Sequence, residues 1–354
     1  MQCKEMIGPW TLKDAYMPKD AGKVFSTFAC TGGSTMGYKL AGFDVIGMNE
    51  IDPKVAAIYK KNHKPKFSFV CSIRDMINKD LPDELYNLDI LDGSPPCSSF
   101  SNAGARDRDW GKLKKFAEGQ ALQRLDDLFF EYIALAKKLQ PKIVVAENVK
   151  GLITGKAKGY VKEIFQAFND ANYDMQLFLI NACNMGVPQT RPRVFFIGKR
   201  KDLDLPKLKL SFNEKPILVK KLLAWASKYP DVAKDIQCIK KYNIYPYWQK
   251  AKQGESLAKY HPKGNFFTYV KNSLNKPCNT LTATNGCLHP FEARYFSVNE
   301  TKIISTFPMD MNFGDWTFNK KIWAMGMSVP PFVSQRIALS IKRQWIKVLN
   351  GYPL

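Results

Sequence analysis

The stretch LDGSPPCSSFSNAG, residues 91–104, carries a single cysteine, Cys97, directly behind two prolines at the end of an apolar run. Proline fixes φ, so Pro95 and Pro96 restrict how the chain presents that thiol. A cysteine held this way is a packing residue, a metal ligand, half of a disulfide or a nucleophile. The chain has eight cysteines and three histidines but no Cys-x-x-Cys pair. Zinc sites draw on ligands paired at short spacing, which argues against a structural metal. The N-terminus MQCKEMIGPW lacks the basic-then-apolar pattern of an export signal, so a cytoplasmic setting is expected. Disulfides are rare there. Packing and nucleophilic chemistry remain.

Two further groups share the strand-end placement of Cys97. The segment KIVVAENV (142–149) brings Glu147 to the end of a second apolar run. A thiol and a carboxylate at neighbouring strand ends can act as nucleophile and proton donor. VPQTRPRVFFIG (187–198) adds Arg191 and Arg193 at alternate positions, on one face of an extended segment. That face can grip a phosphate, a base carbonyl or the Glu147 carboxylate, or it can be a solvated surface pair. Earlier, FSTFACTGGSTMGYKLAGFDVIGMNEID (25–52) reads as strand, glycine turn, helix and second strand ending in Glu50. Nucleotide-binding folds hold a ribose with such an acidic residue. The full G-x-G-x-x-G spacing is absent, which favours a nucleoside cofactor smaller than a dinucleotide.

Seven short segments rich in β-branched and aromatic residues must position these groups: 23–30, 44–51, 67–73, 88–93, 142–149, 175–182 and 193–198. Several are apolar on both faces, as in a sheet covered by helices on both sides. Helical patterns alternate with them. The clearest runs over 120–139, with Leu122, Leu125, Leu128, Phe129, Tyr132, Ile133, Ala136 and Leu139 on one stripe and Pro141 as the stop. The alternation predicts an α/β, doubly wound, mostly parallel seven-stranded sheet of Rossmann-like type. Ligands of such sheets bind outside the carboxyl ends of the strands. A helical period returns near the C-terminus, where Ile337, Ala338, Ile341, Trp345 and Leu349 share a face.

The net charge of +21 suggests a polyanionic partner, nucleic acid foremost, against the alternative of a lysine-rich surface set by genome composition. The excess is uneven. Residues 201–276 carry 16 Lys, no Arg and 6 acidic residues, a net of +10. Aromatics are interleaved there, in KKYNIYPYWQK (240–250) and KGNFFTYV (263–270). This composition suits contact with a phosphate backbone and bases. No apolar run reaches the length of a membrane span.

Taken in order, these segments resemble the cytosine-5 DNA methyltransferase family. FACTGG is similar to its first cofactor motif, NEID to the second, PPC to the catalytic motif, ENV to the glutamate motif and QTRPR to QxRxR. RYFSVNETKIISTFP (294–308) resembles the motif after the target recognition domain, and GMSVPP (326–331) the closing motif. The resemblance implies a catalytic and cofactor-binding domain over 1–200, a target recognition domain over 201–293 and a return segment over 294–354. It implies transfer of a methyl group from S-adenosyl-L-methionine to C5 of a cytosine flipped out of duplex DNA. Cys97 would add to C6, Glu147 would hold or protonate N3, Arg193 would contact O2, and Arg191 would support the pocket. Phe28, Ala29, Thr31, Gly33, Glu50, Ile51, Ile73, Pro96, Leu128, Ser328 and Val329 would line the cofactor pocket, with Glu50 on the ribose and Phe28 against the adenine. The residues after Cys97, up to Leu128, would form a loop closing over DNA.

Three positions depart from the family pattern: Cys30 for a glycine of the first motif, Ser72 for the third motif's aspartate and Met327 for the closing motif's asparagine. A monomer is expected, and the unpaired cysteines and short apolar runs lead to the expectation of no metal and no membrane contact. The resemblance also implies, in a restriction-modification setting, a cognate restriction endonuclease acting on the same site. Two other readings use this scaffold: a tRNA cytosine-5 methyltransferase and a catalytically inactive DNA-binding protein.

Overall fold

The computed structural model describes residues 6–15, 18–96, 113–114, 123–124, 127–154, 158–284 and 286–352. Cys97 and most of the segment up to Leu128 lie outside the described residues.

All seven expected strands form one sheet: β1 (Lys23–Thr27), β2 (Asp44–Asn49), β3 (Phe67–Phe69), β4 (Ile90–Gly93), β5 (Ile143–Val149), β6 (Tyr173–Asn181) and β7 (Pro192–Arg200), in the order β3-β2-β1-β4-β5-β7-β6. The first five pair in parallel. β7 runs antiparallel to both β5 and β6. Side chains alternate across the sheet. Ile143 and Val145 of β5 join a cluster containing helices α1 (Gly33–Leu40) and α10 (Pro331–Ile341). Val144 and Ala146 join another containing α4 (Leu128–Leu139) and α5 (Lys158–Asp170). That two-sided burial is why these strands read as continuous apolar runs.

Helix boundaries follow local chemistry. For α2 (Pro53–His63), Pro53 opens the first turn and the Asp52 carboxylate accepts from the N–H groups of Lys54 and Val55. Between it and α4 lies the five-residue α3 (Ile73–Ile77). α4 ends at Gln140, in the left-handed conformation, one residue before Pro141. It begins at Leu128, not near residue 120 as its apolar stripe suggests. Gln123–Arg124 instead pair antiparallel with Leu113–Lys114, a pairing that extended backbone makes and helical backbone does not. At the C-terminus, α10 continues through a π-turn at Lys342–Ile346, and Ile337, Ala338, Ile341 and Trp345 are buried together as expected.

The basic segment contains helices α6 (Val219–Ala226) and α7 (Tyr245–Lys250) and a two-residue parallel pairing of Val270–Lys271 with Cys287–Leu288. Its buried residues, Val219, Leu222, Ile239, Ile244, Trp248 and Leu281 among them, belong to the same cluster as α10. The chain then returns through α8 (Val298–Ile304), closed by a Ser297–Glu300 capping box, and α9 (Phe318–Met327). Among the described residues no helix is long and apolar enough to cross a membrane.

Candidate active site

The carboxyl ends of β1, β2, β4 and β5 meet at one rim. At the end of β5, Glu147 faces the α10 side of the sheet. Its Oε1 lies 2.9 Å from Nε of Arg193, and the two side chains are only 13% and 16% exposed. The register sets Glu147 opposite Phe195 and Val149 opposite Arg193, so the pair forms on the diagonal of an antiparallel ladder. Burial lowers the Arg193 pKa, and Glu147 opposes that shift. The next residue, Asn148, points to the other face. Its Nδ2 donates to the Pro95 carbonyl at 3.2 Å, and its Oδ1 accepts from the Val149 N–H. Glu147 and Asn148 of the ENV motif thus hold a buried cation on one side and the two-proline segment that leads to Cys97 on the other.

Arg191 is placed differently from Arg193. It is 4% exposed, and its guanidinium donates to the carbonyls of Leu281 (2.8 Å), Gly326 (2.9 Å) and Ser328 (3.2 Å). Burial pushes its pKa down to about 9, which leaves it charged at neutral pH. It joins the end of the basic segment, the C-terminus of α9 and the start of β7. A solvated surface pair is not what forms: Arg191 is buried and spent on backbone carbonyls.

Beside the rim lies a cavity of about 380 Å³. Six of the eleven residues expected to line a cofactor pocket line it: Phe28, Glu50, Ile51, Ile73, Pro96 and Leu128. The other five, Ala29, Thr31, Gly33, Ser328 and Val329, do not line it. Ala29 and Thr31 are buried, and the Thr31 carbonyl accepts from Nε2 of His63 at 3.0 Å, a ring that burial keeps neutral with its pKa pushed down to about 3. Gly33 opens α1, and a Cβ there would sit 2.2 Å from the Val329 carbonyl oxygen and 2.9 Å from the Ser328 Cβ. This glycine is required by the docking of residues 328–329 on the first turn of α1. Ser328 donates to the Ala324 carbonyl, and Val329 packs in the core.

The three departures all line the cavity. Cys30 adopts φ 47, the left-handed conformation that glycine takes without cost. Its thiol is held protonated, with the pKa pushed up to about 11 by burial first and then by Glu50. Glu50 itself is fixed by two backbone donors, Cys30 N–H on Oε2 (2.9 Å) and Asp52 N–H on Oε1 (3.0 Å), while burial raises its pKa. A carboxylate fixed in this way retains lone pairs for a hydroxyl pair, and Phe28, Ile51, Ile73 and Leu128 supply apolar surface for a flat ring. The donor set fits a nucleoside. The sequence reading missed Asn49, Val55, Cys71, Ser94, Ala283, Lys320 and Trp323 as lining residues.

Beneath the site, Asp92 of β4 is buried and accepts from Ser34 Oγ (2.6 Å), Ser26 Oγ (3.1 Å) and Tyr38 OH (3.2 Å), tying β4 to β1 and α1. Burial outweighs these three donors and pushes its pKa up to about 6. In the basic segment many aromatics pack on one another. Tyr245 stacks on Trp248, and Tyr247, His261, Phe266 and Tyr269 form a chain of ring contacts. Tyr242 and Phe267 remain exposed.

A profile for C-5 cytosine-specific DNA methylases matches residues 22–343. Type II methyltransferase M.FnuDI of Fusobacterium nucleatum is 38% identical over 187 residues, 52% of this chain and about half (48%) of that protein's length. Type II methyltransferase M.Sau96I of Staphylococcus aureus is 29% identical over 351 residues, 93% of this chain and 76% of that protein. Among solved structures, a protein described as a prophage-encoded DNA modification methyltransferase of E. coli superposes with a TM-score of 0.65 at 23% identity, covering 91% of this chain and 99% of its own, a likeness of fold.

Proposed function

The chain belongs to the C-5 cytosine-specific DNA methylase family, and on that premise we propose that it methylates C5 of cytosine at a specific duplex DNA sequence, as a restriction-modification methyltransferase does. The observation that carries this reading is the pairing of Glu147, on the strand next to β4 and the Ser94–Pro96 segment that follows it, with Arg193 of β7, while Asn148 holds the Pro95 carbonyl.

Each group has a task in that reaction. C5 of cytosine is too weak a nucleophile to be alkylated directly. The Cys97 thiolate, one residue beyond the described Pro96, forms a bond to C6 and shifts electron density to C5. Glu147 delivers or shares a proton at N3, so the adduct is not left as an anion, and Arg193 donates to O2 while holding Glu147 in place. S-Adenosylmethionine, when bound, supplies the electrophilic methyl group that C5 takes. Loss of the C5 proton and cleavage of the S–C6 bond then regenerate the thiolate, so a difficult substitution becomes an addition and an elimination. Phe28, Glu50, Ile51, Ile73, Pro96 and Leu128 are the residues that would hold the donor, with Glu50 on the ribose hydroxyls. The target base is unreachable inside a stacked duplex and must be flipped out. Residues 201–293 supply recognition, and their lysine excess supplies the salt-dependent backbone affinity. The protein acts as a monomer in the cytoplasm, and a restriction endonuclease of the same specificity is its counterpart where such a system is present.

Expression in a methylation-free host followed by bisulfite sequencing of the DNA tests this directly. One protected sequence motif is expected. Unprotected DNA, with cofactor binding intact, would overturn the DNA reading in favour of an RNA substrate.

A further inference from the structure

The cavity beside the rim has a cation that none of the groups above uses. Lys320 of α9 lines it, and it is the sole Lys or Arg among the described lining residues. Its Nζ lies 4.2 Å from the ring centre of Trp323 and 5.4 Å from that of Trp316. No carboxylate of the described residues comes within ion-pair distance of it. The two carboxylates of the cavity are already engaged. Glu50 accepts two backbone N–H groups, and Asp52 caps α2. A cation–π contact fixes the position of an ammonium without neutralising it. The result is a half-buried positive charge, held over an aromatic floor and open to an anion in the same cavity as Glu50.

We propose that Lys320 receives the carboxylate of the methyl donor's amino-acid end, and that Trp323 positions Lys320 for this contact. The inference rests on the reading of this cavity as the S-adenosylmethionine site. That molecule offers hydroxyl groups at its ribose and a single carboxylate at its other end, and the cavity offers Glu50 from β2 and Lys320 from α9. Lys320 would then explain why α9, about 270 residues after Glu50 in the chain, contributes Lys320, Trp323 and Met327 to the same wall. These three follow at helical i, i+3, i+7 spacing and share one face.

The test compares two ligands on the full-length protein by calorimetry: S-adenosylhomocysteine, which carries the carboxylate, and 5′-methylthioadenosine, which keeps the nucleoside and lacks the amino acid. Lys320→Met is expected to weaken S-adenosylhomocysteine about tenfold, to leave 5′-methylthioadenosine unchanged, and to be rescued largely by Lys320→Arg. Unchanged S-adenosylhomocysteine affinity would overturn the assignment. Equal weakening of both ligands would overturn it too, since Lys320 would then act only by supporting Trp323. Loss of duplex DNA affinity with S-adenosylhomocysteine unaffected would make Lys320 a phosphate contact and overturn it as well. A wild-type protein that bound neither ligand would remove the cofactor reading of the cavity itself, a failure distinct from these.

Discussion

Glu147 and Arg193 meet at 2.9 Å across the diagonal of β5 and β7, each almost enclosed by protein. A nearly buried carboxylate beside a guanidinium is costly to desolvate, and the pair persists because each partner satisfies the other. At the rim formed by the carboxyl ends of the parallel strands, where this fold binds its ligands, such a pair can offer a proton and a hydrogen bond to one edge of a flat ring. Glu147→Gln keeps the shape and removes the charge. We expect kcat for methyl transfer to fall by roughly 10²–10³, with S-adenosylhomocysteine affinity within about twofold of wild type. Tritiated-methyl incorporation and calorimetry read the two effects separately. Wild-type turnover in the variant would remove Glu147 from the proton role.

Gly33 touches the segment after α9 so closely that no side chain fits: the nearest atom to an added Cβ is backbone, the Val329 carbonyl oxygen at 2.2 Å. Gly33→Ala must therefore push residues 328–329 away from α1 and disturb the carbonyls that Arg191 holds. The expected cost is about 3 kcal/mol of stability, seen as a lowered midpoint in urea denaturation, together with weaker S-adenosylhomocysteine binding. A midpoint equal to wild type would show that this backbone contact is not tight.

Asp92 makes stability depend on pH. Burial raises its pKa from 3.8 to about 6, so between those values the folded protein holds the proton more tightly than the unfolded chain. Its contribution is favourable at low pH, declines as pH rises from about 4 to about 6, and stays unfavourable above that. Asp92→Asn is neutral throughout and can still bond Ser26, Ser34 and Tyr38. It should flatten the stability profile over that window and raise stability at pH 7.5 by up to about 3 kcal/mol. Urea titrations at a series of pH values measure this, and parallel profiles for the two proteins would contradict it.

Much of the architecture was legible because burial on both faces leaves a strong mark. β1, β2, β4 and β5 are short apolar runs whose ends carry the polar residues of the rim, and a strand end is where chemistry in this fold belongs. Glu50 and Glu147 could be placed that way, and Arg193 by its alternation with Arg191 along an extended segment. Other features had no local signal. Lys320 and Trp323 reach the cavity only because Gly33 lets the chain after α9 dock on α1, a tertiary contact between distant segments. The i, i+3, i+7 face of Lys320, Trp323 and Met327 just before GMSVPP was the available clue. Interleaved aromatics over 240–270 suggested base stacking, yet Trp248, Tyr247 and Phe266 are largely spent on packing, because composition does not say which way a ring points. Asp92 looked like one more strand residue. Its burial and its three hydroxyl donors come from β1 and α1.

The central claim is that a cysteine thiolate at this rim attacks C6 of cytosine, and duplex DNA containing 5-fluorocytosine tests it most directly. Fluorine replaces the C5 proton whose loss frees the thiol, so the reaction should stop at the covalent stage. In the presence of S-adenosylmethionine, wild-type protein is expected to form a denaturant-stable complex that migrates with the DNA, and Cys97→Ser is expected to form none. A wild-type protein that leaves no covalent complex, or a complex that persists in Cys97→Ser, would contradict the account.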